Sequence, residues 1–210
     1  MTEIILARHG ETEWNVSEIF RGRADIGLNQ TGIRQAELLA KYLSDKKIEA
    51  VYSSPLKRAL KTAEIIATYH QLNVENAPGL NDFDFGEWNG LSLREVKERY
   101  AEVFAEWAQH PEKVKIPGGE TLDGVRERAV KVVAEVIKKH EDSIVLVSHR
   151  VVSKILICAL LGLDNSHFWN IKVDTAGITI FNYENGRFIL TKHNDTSFLE
   201  PLHKAPLRDF

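Results

Sequence analysis

Apolar residues change their spacing several times along this chain, and each change marks an element. Ile4-Ile5-Leu6-Ala7 is an unbroken apolar run that stops at Arg8-His9-Gly10, the pattern of a buried strand ending in a loop. From Thr31 to Lys46, Ile33, Ala36, Leu39, Ala40 and Leu43 recur at helical spacing behind a Thr-Gly start. Ala50 to Ser53 reads as a second strand. Ser54-Pro55 then opens a helix running to about His70, with the proline in its first turn. Leu72 to Val74 predicts a short third strand. A long helix is expected from about Thr121 to His140, and a strand from Ile144 to Val147 ending in Ser148-His149. Val151 to Leu161 is a buried helix closed by Gly162. Gly177 to Tyr183 and Phe188 to Lys192 pair as a hairpin across Glu184-Asn185-Gly186.

Strands alternating with helices predict an α/β fold, a three-layer α/β/α sandwich around a mainly parallel sheet. Residues 78–119 interrupt the alternation. They hold two Pro-Gly turns (Pro78-Gly79 and Pro117-Gly118), the loop Asn81 to Gly90 and helical stretches around Ser92 to Gln109. They read as a small helical lid inserted into a single domain that spans residues 1–210, a length ample for one core.

Composition narrows the class of function. A formal charge of -3 offers no footing for nucleic acid or an anionic membrane surface, and it makes any local cluster of arginines more informative. The single cysteine, Cys158, lies in an apolar run and can form neither an internal disulfide nor a zinc cluster. No stretch approaches the ~20 apolar residues of a membrane span, and Met1-Thr2-Glu3 runs straight into a strand without a basic leader. The expectation is a soluble cytoplasmic protein.

In open α/β sheets, ligands bind beyond the carboxyl ends of the strands. Three predicted strands deliver polar residues to that edge: Arg8-His9-Gly10, then Ser53-Ser54 with Arg58 one turn into the next helix, then Ser148-His149. A strand-end histidine alone reads as a structural residue. Two of them, converging with two arginines, point to a pocket for an oxyanion, because guanidinium forks match phosphate and carboxylate. A metal site built from His9, His149 and Asp82 is the rival. Arg8 and Arg58 would repel a cation there, and no His-x-His or Glu-x-x-His spacing supports it, so no metal is expected.

Arg8-His9-Gly10-Glu11-Thr12 with Trp14-Asn15 resembles the signature of the histidine phosphatase superfamily, the phosphoglycerate-mutase-like proteins. Ser53-Ser54-Pro55-Leu56-Lys57-Arg58-Ala59, Phe85-Gly86-Glu87-Trp88-Asn89-Gly90, Gly118-Gly119-Glu120-Thr121 and Val147-Ser148-His149 match its later motifs in order, over nearly the whole chain. The resemblance implies that His9 attacks phosphorus and carries the phosphoryl group covalently, with no cofactor. It implies that Arg8, Arg58 and His149 hold the equatorial oxygens and that Asn15 donates another hydrogen bond. Arg21-Gly22 occupies a phosphate-loop position where relatives often carry glutamine, so an inward Arg21 would add a cation.

Two positions depart from the family pattern. The usual proton-donating glutamate is matched by Asp82, shorter by one methylene, with Asp84 in reserve; either could instead be a turn residue. Arg150 stands where relatives commonly have glycine, and could reach a second anionic group of the substrate or point to solvent. A compact insertion and Arg150-Val151-Val152 after His149 favour a phosphatase of a small phosphorylated metabolite over a cofactor-dependent phosphoglycerate mutase. Phosphoserine, α-ribazole phosphate and sugar phosphates stay open as substrates. A catalytically weak domain that only binds phosphorylated ligands is the reading from another class. Phe83 and Phe85 could wall the leaving group, with Trp107 above it, or form the lid's own small core, and Trp14, Trp88 and Trp169 are expected to serve packing. The last hairpin offers an edge at which a homodimer could form. His193 and His203 gain no role.

Overall fold

The alternation of Ile4 and Leu6 with Ile5 and Ala7 sends successive side chains to opposite faces of a sheet, and helices cover both faces. A computed structural model describes residues 1–202; His203 lies outside them. The strands are β1 (Thr2–Arg8), β2 (Ile48–Ser53), β3 (Val74–Asn76), β4 (Ser143–Ser148), β5 (Ile178–Glu184) and β6 (Arg187–Asp195), and the helices are α1 (Glu13–Val16), α2 (Gln30–Leu43), α3 (Lys57–His70), α4 (Leu93–Arg99), α5 (Ala101–Gln109), α6 (Leu122–Val136) and α7 (Arg150–Leu160). The sheet runs β3-β2-β4-β1-β5-β6. β1 to β4 are mutually parallel, while β5 and β6 close the sheet antiparallel. Ile5, Ala7, Val51, Val145 and Val147 meet α2 and α3 on one face; Ile4, Leu6, Ile144 and Leu146 meet α6 and α7 on the other. These are the three layers.

Register fixes the level of the site. Arg8 lies opposite Ser148 and Ser53 opposite Val147, so β1, β2 and β4 end together at one edge. The chain continues that alignment outside the strands, with His9 N–H donating to the Ser148 carbonyl and Ser54 N–H to that of Val147.

Several boundaries move from their expected places for local reasons. α3 begins at Lys57, and Pro55 stays outside it, because Leu56 holds an extended conformation and Ser54 Oγ accepts the Leu56 N–H. β3 starts two residues late because Gln71 ends α3 in the left-handed region (φ 56°) and Leu72 N–H folds back to Ala67. α6 stops at Val136, leaving His140 to bond Tyr52 and Glu49. The hairpin turns at Asn185 and Gly186, both at positive φ as a two-residue turn demands.

Residues 78–119 carry two 3-10 turns (Pro78–Leu80 and Gly86–Trp88) and the helices α4 and α5. Their Phe83, Trp88 and Trp107 are fully buried in the same apolar cluster as Leu6, Leu146 and Leu156. Edge and stacked contacts among Phe20, Phe83, Phe85, Trp88 and Trp107, with ring centres 4.8–6.5 Å apart, bind the segment to that layer. No helix among the described residues is long and apolar enough to cross a membrane.

Candidate active site

His9 leaves β1 at the aligned strand edge, 99% buried, and its ring centre lies 5.1 Å from that of His149. Its Nδ1 is 2.6 Å from the Gly10 carbonyl, which can only accept, so the proton sits on Nδ1 and Nε2 keeps its lone pair. Gly10 must be glycine: a Cβ there would stand 2.4 Å from the carbonyl oxygen of Gly32 at the start of α2. Gly10 N–H donates to Thr62 Oγ1 of α3, and Glu11 is held by Gln35 and Asn29 of the α2 region. The loop after β1 is therefore fastened to two helices.

Arg58, in the first turn of α3, has no exposed surface. It donates to the carbonyls of Ala24 (2.7 Å) and Gly22 (2.8 Å) and to Asp82 Oδ2 (2.8 Å). Arg8 donates to the Val173 carbonyl at 2.7 Å. His149 precedes α7, with Nε2 2.8 Å from Ser54 Oγ and Nδ1 3.5 Å from Asp82 Oδ2. Arg150 follows as the first residue of α7 and is buried rather than turned to solvent. Arg21, also buried, lines one cleft with Asp82, Phe85 and Arg150.

Burial, then the charges of Arg58, His149, Arg8 and Arg21, hold the pKa of His9 well below its ordinary value. Burial and Arg58, Arg21, Arg128 and Arg8 do the same to His149. The contact between His149 and Asp82 is thus one of a neutral imidazole, and the ion pair of the site is Arg58–Asp82. Two uncharged imidazoles inside a ring of guanidiniums can attack or bind a phosphoryl dianion, and could not both be protonated there.

The other expected residues divide. Asn15 Oδ1 is taken up by Thr12 in the capping box of α1. Gly22, at φ +46°, acts through its carbonyl on Arg58. Phe85 lines the cleft. Phe83 does not; its ring stacks on Trp107 in the core. Trp107 is likewise core, against Phe168 and Trp169. Asp84 accepts from Gly86 N–H and Asn89, a turn residue. Two further residues brace the site. Ser54 bridges His149 to Asn81, and Arg128 of α6 gathers the carbonyls of Gly79, Asn81 and Asp82 while paired to Glu120. Arg128 belongs to no motif in the sequence, and only the fold brings it under Asp82. Among the described residues no three His, Cys, Asp or Glu side chains group as a metal site.

Residues 4–196 match the family profile of the histidine phosphatase superfamily (branch 1). Phosphoserine phosphatase 1 of Hydrogenobacter thermophilus is 39% identical over 98% of this chain and all of its own length. The metal-independent phosphoserine phosphatase of Arabidopsis thaliana is 30% identical over 95% of this chain and 84% of its own. Among solved structures, Bacillus stearothermophilus YhfR superposes with TM-score 0.91 at 29% identity, over 95% of this chain and 100% of that one. An Entamoeba histolytica phosphoserine phosphatase mutant in complex with phosphoserine superposes at 0.85 with 30% identity, over the same shares. The chain belongs to the histidine phosphatase superfamily. It is a phosphomonoester hydrolase acting on a small phosphorylated metabolite.

Proposed function

We propose that His9 is the phosphoryl acceptor of this phosphatase and that Asp82 is its acid and base. The observation that carries the reading is the neutral Nε2 of a buried His9 surrounded by Arg8, Arg58 and Arg21. Nε2 attacks phosphorus and forms an N–P bond as the ester P–O bond breaks. Asp82 relays a proton, taken up with the bound phosphomonoester, to the departing alkoxide. Water then attacks the phosphohistidine, Asp82 takes the water's proton, and inorganic phosphate leaves with His9 restored. Arg8, Arg58 and His149 hold the equatorial oxygens, where charge gathers in the transition state, and the amide nitrogen of Asn15 adds a donor.

Each step uses groups already present, and none calls for a metal. Relatives bearing phosphoserine and α-ribazole names bracket the substrate as a phosphomonoester of modest size. Turnover of p-nitrophenyl phosphate in the presence of EDTA, with phosphate trapped on the His9 peptide after a rapid quench, is the expected result. Phosphate binding without turnover would instead make the chain a phospho-ligand binding domain.

A further inference from the structure

A carboxylate that stands one methylene from its backbone reaches only where that backbone puts it. In Asp82 both oxygens are also tied: Oδ1 accepts the Phe83 N–H at 2.9 Å and Oδ2 accepts Arg58 at 2.8 Å. Where the carboxylate meets a leaving oxygen is therefore decided by the main chain of residues 79–84. Residues 81–84 of that stretch belong to neither strand nor helix, so no ladder of backbone bonds holds them.

The hold comes from α6. Arg128 donates through Nη1 to the carbonyls of Gly79 and Asn81, at 2.7 Å each, and through Nη2 to that of Asp82 at 3.2 Å. Its Nε (2.8 Å) and the second hydrogen of Nη2 (3.0 Å) go to the two carboxylate oxygens of Glu120. Every N–H of the guanidinium is thereby used, and none is left for a substrate. Glu120 in turn accepts the Asp84 N–H at 3.1 Å and gives its own N–H to the Asp84 carbonyl at 2.9 Å. The carbonyl of Leu80 takes the hydroxyl of Ser148, at the end of β4, at 2.8 Å. Gly79 permits the close approach to α6, since a Cβ there would stand 2.5 Å from Val132 Cγ2 and 2.8 Å from the Arg128 carbonyl oxygen. A planar fork can gather several carbonyls of an irregular chain at once, as an ammonium group cannot.

We infer that Arg128, braced by Glu120, is the positioning residue of Asp82, fixing the backbone from which the short carboxylate reaches the leaving oxygen. This role rests on the reading of Asp82 above and names what its proton transfer depends on. With no donor to spare for phosphorus or leaving group, Arg128 should matter only where Asp82 does. A reacting group misplaced by about 1 Å can lose about 10²-fold in rate.

Phenyl phosphate and p-nitrophenyl phosphate test it, because they differ by one nitro group and so in how far the departing oxygen needs a proton. The quantity to follow is kcat/KM, which reports the step that expels the leaving group. Arg128→Gln should lower it by about tenfold to a hundredfold for phenyl phosphate and by less than about threefold for p-nitrophenyl phosphate. In an Asp82→Asn background the same substitution should cost less than about threefold on either ester. Glu120→Gln keeps the shape of the brace and removes its charge. It should show the same selectivity with a smaller loss, and it carries the test if Arg128→Gln does not fold. Equal losses on the two esters overturn the inference, since a general loosening of the fold or a change at His149 slows both. So does the absence of any loss, or a selective loss that persists undiminished beside Asp82→Asn. In each of these cases Asp82 keeps its role if Asp82→Asn alone slows phenyl phosphate more than p-nitrophenyl phosphate. Equal slowing of the two esters by Asp82→Asn itself overturns the reading of Asp82 and this one with it.

Discussion

The two ends of the parallel sheet each hold a hydrogen-bonded histidine, and only one end is proposed as a site. At the amino end, His140 lies between Tyr52 Oη (2.9 Å from Nε2) and Glu49 (2.8 Å from Nδ1), an arrangement that has the outward form of a catalytic triad. Glu49 also accepts the backbone N–H groups of Glu141 and Asp142, so it closes the turn after α6. Burial and the charge of Glu75 push the Tyr52 phenol up to about 12, the wrong direction for a nucleophile. Tyr52, His140 and Glu49 there all have partners within the fold. At the carboxyl end, the imidazoles of His9 and His149 are deprived of charge by burial and by arginines, and Arg58 Nε and His149 Nδ1 lack a hydrogen-bond partner among the described residues. A chain of hydrogen bonds makes a tie. Unsatisfied donors of one sign around a nucleophile make a pocket.

The largest expected effect separates the ends outright. His9→Ala should remove turnover while leaving the fold intact, since in the proposed mechanism it deletes the atom that bonds phosphorus. Losses of ~10⁶-fold follow removal of such a group elsewhere. A variant retaining more than about a hundredth of wild-type kcat would show that His9 is a ligand-holding residue and no nucleophile.

Asp82→Asn should cost less, and unevenly. An alkyl alkoxide needs a proton as it departs, so esters of simple alcohols should slow by about 10²–10⁴-fold. p-Nitrophenolate departs unaided, and its ester should slow far less. Equal losses on both would make Asp82 only the counter-ion of Arg58, which it contacts at 2.8 Å. A truncation to alanine tests that second duty, because it strands a buried guanidinium, at about 3–5 kcal/mol of stability.

Much of this was legible in the sequence. The strands that deliver Arg8-His9, Ser53-Ser54 and Ser148-His149 stand out because a buried parallel strand is an apolar run, and the polar residues ending it mark the active edge. Arg58 follows from helical spacing behind that edge. The rest depended on tertiary placement. Phe83 and Phe85 both pack in the core, yet only Phe85 also lines the cleft, and irregular backbone has no period from which to read that. Arg128 lies 46 residues from the carbonyl of Asp82 that it holds, and no local pattern announces such a bond. Arg150 was open between ligand and solvent until α7 turned it inward.

A smaller effect concerns acid. His9 and His149 have folded-state pKa values below the ordinary 6.5, so both stay neutral as pH falls through 6.5 in the free enzyme. kcat/KM should therefore hold nearly level from pH 7 to 6.5 and decline only at lower pH. A tenfold loss per unit that begins at or above 6.5 would show that His9 is not shielded. The fold follows the same sign: in this window the unfolded chain binds protons that the folded one refuses. The histidine contribution to stability is thus complete above 6.5 and is lost as pH falls toward the folded values.

The smallest effect belongs to the amino end. His140→Ala removes one partner each of Tyr52 Oη and of Glu49, and the phenol of a residue only 5% exposed is left with poor access to water. Stability should drop by about 1–3 kcal/mol, seen as a lower melting temperature. kcat at 25 °C should stay within about twofold of wild type, because β2 and β4 remain paired along their length and carry the strand ends that hold Ser54 and His149. If activity fell with stability unchanged, the amino end would be coupled to the chemistry through the sheet. The distinction between a tie and a pocket would then fail at the one place where both are built from histidine.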